Sequence, residues 1–157
     1  MKIVLLLTGK TTEEYIIKGI EDYSARIRKF SAFEMVILRD LKNTGSMPPA
    51  TQKEKEGERI MEFFAPGDYI ILLDERGTQY RSIELAGWLE ERLMSQVKRI
   101  VFVTGGPWGF SDGVRDRADM SLSLSRLTFS HQLVRLLFLE QLYRAFTIIR
   151  GVPYHHE

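Results

Sequence analysis

The sequence predicts an α/β fold, a parallel sheet covered by helices in one domain spanning residues 1–157, and three observations carry that expectation. Strand-like runs alternate with stretches of helical periodicity along the whole chain. Several strand runs are continuously apolar, as strands buried on both faces must be, and parallel sheets bury both faces under helices. No internal repeat, low-complexity tract or long linker divides the 157 residues, a length at which one domain can bury a real core.

Lys2–Thr8 is rich in leucine and β-branched residues and stops at Gly9, so it reads as a buried strand. Thr11 and Thr12 offer an N-cap for a helix in which Tyr15, Ile16, Ile20, Tyr23 and Ile27 recur at helical spacing to about Phe30. Phe33–Arg39 reads as a second strand. Asp40–Ala50, with Gly45, Ser46 and Pro48-Pro49, reads as a loop. A charged helix is expected from Thr51, with Ile60, Met61, Phe63 and Phe64 as its apolar face and Pro66-Gly67 as its stop. Asp68–Asp74 is a continuous apolar strand followed by the polar turn Glu75-Arg76-Gly77. Ser82 is placed to cap a helix through Leu93 whose stripe is Leu85, Ala86, Leu89 and Leu93. Lys98–Thr104 is a further buried strand, a short helix is expected around Asp112–Ala118, and Met120–Leu124 reads as a strand. His131–Ile149 is the last helix, with Gly151 as its C-cap.

Composition excludes several chemistries. There is no cysteine, so disulfides, thiolate nucleophiles and cysteine metal sites are ruled out. The apolar runs Ile3–Leu7 and Ile70–Leu73 are far too short to cross a bilayer, and no signal-peptide pattern opens the chain; a cytoplasmic protein is expected. A formal net charge of +1 argues against coating nucleic acid by charge alone, but a local basic face suffices for phosphate contact. The adjacent His155 and His156 lack a third ligand at recognisable spacing, so no metal site is expected.

Ligands of open α/β sheets gather at the carboxyl ends of the strands. Three such ends carry unusual turns: Leu73–Gly77, Thr104–Phe110 and Leu124–His131. The glycines of the second let a ligand approach the backbone closely, yet the turn matches neither a dinucleotide fingerprint nor a P-loop; a ligand turn and a plain tight turn both remain open. The acidic turn suits a ribose hydroxyl, with solvent exposure the default for Glu75 and Arg76. Ser130 is expected to cap the last helix, and His131 is either a base or a locally bonded helix-start residue. The last helix is apolar around most of its circumference, which fits a central core helix or a homodimer interface. The arginines around it, 115, 117, 126, 135, 144 and 150, suit phosphate or pair with Asp116, Asp119 and Glu140, the last at i, i+4 from Arg144.

The runs GGPWGFSD (Gly105–Asp112), LSLSRLTFSHQLVR (Leu122–Arg135) and EQLYRAFTIIRGVPYHH (Glu140–His156), with the LDERG turn at Leu73–Gly77, closely resemble the ribosomal RNA large-subunit pseudouridine N3-methyltransferases of the SPOUT class. The likeness covers essentially the whole chain. It implies a C-terminal trefoil knot, a homodimer, S-adenosyl-L-methionine as cofactor, and a pseudouridine of ribosomal RNA, in the assembled ribosome, as acceptor. It places cofactor contacts on Leu73, Gly105, Leu124, Ser125, Arg126, Leu127, Thr128 and Phe129, and the catalytic side on Arg144, Tyr154 and His155, with the tail folding over a pocket, its own or the partner's. Ser130 stands where relatives commonly have proline; serine can cap the helix that proline would pre-set. Without the resemblance, a doubly wound cofactor enzyme and a non-catalytic RNA- or ribosome-binding module of α/β fold both remain.

Overall fold

The computed structural model describes residues Met1–His156. Five strands, β1 (Lys2–Thr8), β2 (Ala32–Leu38), β3 (Asp68–Gln79), β4 (Arg99–Thr104) and β5 (Met120–Ser123), form one sheet in the order β2-β1-β4-β3-β5. Every pairing is parallel, as the unbroken apolar runs require. The helices are α1 (Glu14–Ile27), α2 (Pro49–Phe63), α3 (Ser82–Leu93), α4 (Asp112–Arg117) and α5 (Leu133–Ile149).

Strand alternation divides the core into two. Ile3, Leu5 and Leu7 of β1, Ile71 of β3, and Ile100 and Phe102 of β4 face α1, α3 and α5. Val4, Leu6, Ile70, Leu72, Val101 and Val103 face the other way, onto Ile60 of α2 and Phe110 and Val114 beside α4. Much of the apolar surface of α5 is buried within the chain. The helix lies between α1 and α3 on the sheet, and Phe138, Leu139, Leu142, Ala145 and Phe146 are buried there.

Several local expectations shift. Thr11 and Thr12 do not cap α1, whose N-cap Glu13 makes no side-chain cap bond. They bind the start of α5 instead. Gln132 accepts from the Thr12 and Glu13 amides through Oε1 and donates to Thr12 Oγ1, while Arg135 donates to Thr11 Oγ1 and the Thr8 carbonyl. Helix α2 begins two residues early because Pro49 pre-sets the helical φ and needs no amide partner. Met61 on α2 is largely exposed, so the apolar face is narrower than expected. Arg81, not Ser82, is the N-cap of α3, and its amide donates to Glu84. His131 precedes α5 rather than opening it, and Ser130 Oγ accepts from the Leu133 amide as expected. At the far end Gly151 takes φ 63°, while the Gly151 and Val152 amides return to the Ile148 and Thr147 carbonyls, a Schellman closure.

The expected polar turn after Asp74 is instead part of β3. Leu122 of β5 pairs with both Leu73 and Thr78, so Asp74–Gly77 bulge between two paired segments. Gly77 sits against β5, where a Cβ would lie 2.6 Å from the Ser121 carbonyl carbon and oxygen. That neighbour is backbone and cannot swing aside. Gly77→Ala is expected to lower stability by about 2–3 kcal/mol, read as a lower urea midpoint; an unchanged midpoint would show that the β3–β5 edge is loose.

Candidate active site

The bulge of β3 and the carboxyl ends of β4 and β5 converge on one cavity of about 590 Å³. Leu73–Arg76 line it from β3, Thr104–Phe110 from the turn after β4, and Leu124, Ser125 and Leu127–His131 from the segment after β5. Thus Leu73, Gly105, Leu124, Ser125, Leu127, Thr128 and Phe129 are brought together on its wall. Arg126 is not: it is exposed and off the wall. The cause is local. Ser125 Oγ accepts from the Leu127 amide and Ser123 Oγ donates to the Ser125 carbonyl, a serine turn that faces Arg126 outward.

Asp74 is buried at the cavity edge, whereas Glu75 and Arg76 are exposed as expected. Burial pushes the Asp74 carboxyl up, but the Arg76 amide and the Arg115 guanidinium, 2.7 Å away, outweigh it and hold the group below the ordinary carboxylate value. Arg115 therefore pairs with Asp74 rather than with its neighbour Asp116. A folded-state pKa below the unfolded one gives stability that is complete above pH ~4 and lost as pH falls through the folded value. Asp74→Asn is expected to cost about 1–3 kcal/mol at pH 7. The gap to the unmodified protein should close in acid; a gap constant from pH 7 to pH 2 would refute the ion pair's role.

The glycine turn is tightly packed. Gly109 takes φ 80°, and a Cβ on Gly106 would lie 2.1 Å from Glu56 Oε2 on α2. Trp108 is half-exposed at the cavity wall, yet its indole Nε1 donates to Gln52 Oε1, and Gln52 Nε2 donates to Glu56 Oε1. Sequence reasoning missed Glu56 and Gln52, which look like ordinary members of a charged helix.

The other three nominated residues form a second cluster at the far end of α5. Arg144 pairs with Glu140, lies 4.8 Å over the Tyr154 ring and donates to His155 Nδ1 at 3.3 Å. The Tyr154 hydroxyl bonds Glu140 Oε1 at 3.0 Å and the Tyr23 hydroxyl at 3.2 Å, and its ring packs edge-on against Tyr143. Beyond Gly151, Tyr154 and His155 are docked and half-buried. Burial, the Tyr23 hydroxyl and Glu140 all push the Tyr154 phenol well above its ordinary pKa, so it keeps its proton. A guanidinium can only donate, so His155 Nδ1 accepts in this contact. The hydrogen bond from Arg144 to Glu140, set against a smaller cost of burial, raises the guanidinium pKa further, so it stays charged. Glu140, singled out in the sequence only as an ion-pair partner, is the hub of this cluster.

The two halves do not meet within one chain. None of Arg144, Tyr154 and His155 lines the cavity. Val134, which does, precedes Arg144 by ten residues on the same helix, about 15 Å along a helix axis. Among the described residues no group of acidic, histidine or cysteine side chains could hold a metal ion, and no helix is long and apolar enough to cross a membrane.

An open parallel sheet with a cavity where the β3 bulge meets two carboxyl strand ends defines a ligand-binding α/β protein. Among solved structures the chain is similar to a probable methylase family protein from Haemophilus influenzae Rd KW20. The TM-score is 0.50 at 13% identity, over 95% of this chain and 66% of that one, a likeness of fold alone. The family described as "Predicted SPOUT methyltransferase" matches residues 1–155. The chain is 50% identical over 157 residues, all of both chains, to "Ribosomal RNA large subunit methyltransferase H" of Bacteroides fragilis. It is 45% identical over 157 residues, again all of both chains, to the protein of that name from Flavobacterium psychrophilum. The protein belongs to the SPOUT methyltransferase family.

Proposed function

We propose that this protein is a cytoplasmic, single-domain enzyme that methylates N3 of a pseudouridine in large-subunit ribosomal RNA, on the assembled ribosome. It uses S-adenosyl-L-methionine and works as a homodimer with a knotted C-terminal segment. The observation that carries the reading is the convergence of Leu73, Gly105, Leu124, Ser125 and Leu127–Phe129 on one cavity. Its support is the full-length similarity to proteins named for large-subunit ribosomal RNA methylation.

The cavity fits the cofactor. Its volume of about 590 Å³ suits a ligand of that size, and its wall joins apolar Leu73, Leu124 and Phe129 to the close backbone of Gly105 and Gly106. Leu73, Gly105, Leu124, Ser125, Leu127, Thr128 and Phe129 would hold it; Arg126, facing solvent, is left for RNA phosphate or the partner. When bound, the cofactor supplies a methyl group already activated on its sulfonium.

What remains for the chain is alignment and charge. The acceptor imide must shed a proton at or before transfer. In the arrangement around Glu140 neither Tyr154 nor His155 is set to take it. Tyr154 holds its own proton, and His155 Nδ1 is occupied by a guanidinium hydrogen. Arg144, held by Glu140, Tyr154 and His155, instead offers positive charge and N–H donors, which would stabilise the deprotonated acceptor. Because this cluster and the cavity lie at opposite ends of α5, a second copy is the natural source of the missing half.

The reading is tested with labelled methyl transfer to intact ribosomes and to naked ribosomal RNA, both from a strain lacking the enzyme, followed by mapping of the product. Label on N3 of a pseudouridine in intact ribosomes is expected; label on another atom, or none, would overturn the assignment. Sedimentation at micromolar concentration is expected to show a dimer, and monomer alone would exclude the shared site.

A further inference from the structure

The turn after β4 forms one wall of the cavity, and something outside the cavity must fix its shape. Glu56 is placed to do so. Its residue is 6% exposed, one carboxylate oxygen accepts from Gln52, and the other is shut against Gly106 with no hydrogen-bond partner among the described residues. Burial accordingly pushes this carboxyl up from its ordinary value. Leaving a buried carboxyl oxygen unbonded is costly, so its retention calls for a role that packing alone would not need. The Gln52 amide spans the gap from Glu56 to the Trp108 indole, which would otherwise be loose on the surface.

We propose that Glu56 is a positioning residue for the donor cavity, setting the shape of the Gly105–Phe110 turn by abutting Gly106 and by holding Trp108 through Gln52. It touches no reacting group. Its effect is on donor affinity, because the turn it braces is cavity wall, whereas the Arg144 cluster lies at the other end of α5. This inference rests on the cofactor reading only for its second readout. The first, the restraint on Trp108, is independent of any ligand.

The test uses the full chain with Trp88→Phe, which leaves Trp108 as the single tryptophan of the two. Glu56→Ala and Gln52→Ala are each expected to increase acrylamide quenching of Trp108 and lower its anisotropy, and the double variant to go no further than the larger single effect. Glu56→Gln, which keeps an oxygen for the Gln52 amide, should restore the native signal. By calorimetry, S-adenosyl-L-methionine should bind each alanine variant about tenfold more weakly, the equivalent of one lost hydrogen bond. Its KM should rise in step, with kcat at saturating donor within about twofold of native. Gln52 is half-buried on the surface of α2, so its variant keeps the test alive should Glu56→Ala not fold. Unchanged Trp108 quenching in Gln52→Ala, or a parallel fall of kcat with unchanged donor affinity, would overturn the proposal. If quenching responds as expected while the native protein binds no S-adenosyl-L-methionine, the positioning of the turn stands and the cofactor reading falls.

Discussion

A chain ending at Pro153 is expected to bind S-adenosyl-L-methionine with near-native affinity and to transfer methyl groups at least about a hundredfold more slowly. The affinity is kept because the cavity wall ends at Val134 and, among the described residues, none beyond it contributes. The rate falls because Tyr154 and His155 both contact the Arg144–Glu140 pair. Losing the Tyr154 ring from Tyr143 and Arg144 would also cost about 1–2 kcal/mol of stability, so the rates are compared well below the melting transition. Tyr154→Phe separates the roles: it keeps both ring contacts and removes the hydroxyl that reaches Glu140 and Tyr23. Retained transfer by the truncated chain would end the catalytic assignment of the tail. Complementation then tests where the halves meet. Arg144→Ala mixed equally with a Gly105→Leu chain that binds no cofactor should regain about a quarter of native activity. Half of the exchanged dimers are mixed, and each mixed dimer holds one intact composite site of two. No recovery, with subunit exchange verified, would place the whole site in one chain.

The strands were legible because a parallel sheet writes itself into the sequence. Ile3–Leu7 faces helices on both sides through alternate residues, so no polar position interrupts it. The turns after β4 and β5 were legible for a related reason: glycine and polar residues punctuate those runs where the backbone leaves the sheet. Chemistry located the three strand ends but left their ligand open, and the family resemblance supplied it. What sequence could not show depends on long-range partners. Thr11 and Thr12 have the chemistry of a helix cap, yet Gln132 and Arg135, more than a hundred residues away in the chain, claim them. Asp74–Gly77 has turn composition, yet β5 pairs on both sides of it and makes it a bulge. Arg126 shares a motif with cavity residues, but a serine turn faces it outward.

Arg135 was the least legible residue, a charge on an apolar helix that the sequence leaves for phosphate or for an acidic partner, and its removal is expected to cost the most stability. It is fully buried, donating to the Thr8 carbonyl, to Thr11 Oγ1 and to the His131 carbonyl, with no carboxylate in ion-pair contact among the described residues. Burial pushes its pKa down, against weak support from Asp40, but a guanidinium starts so high that it stays charged. These three bonds join the end of β1, the loop after it, and the end of the cavity wall at the start of α5. Arg135→Ala would leave these acceptors unmatched around a new void, at a cost of about 3–5 kcal/mol by urea denaturation. Arg135→Met refills most of the stem volume while losing every hydrogen bond, so it should cost about 1–3 kcal/mol. A methionine variant as stable as the native protein would show that the bonds only offset the desolvation of the charge. Its donor affinity would then separate the two functions of the residue. His131, which lies on the cavity wall beside Ser130, is anchored by this guanidinium through its carbonyl. A stable Arg135→Met protein with weakened S-adenosyl-L-methionine binding would mark Arg135 as a brace of the site rather than of the fold.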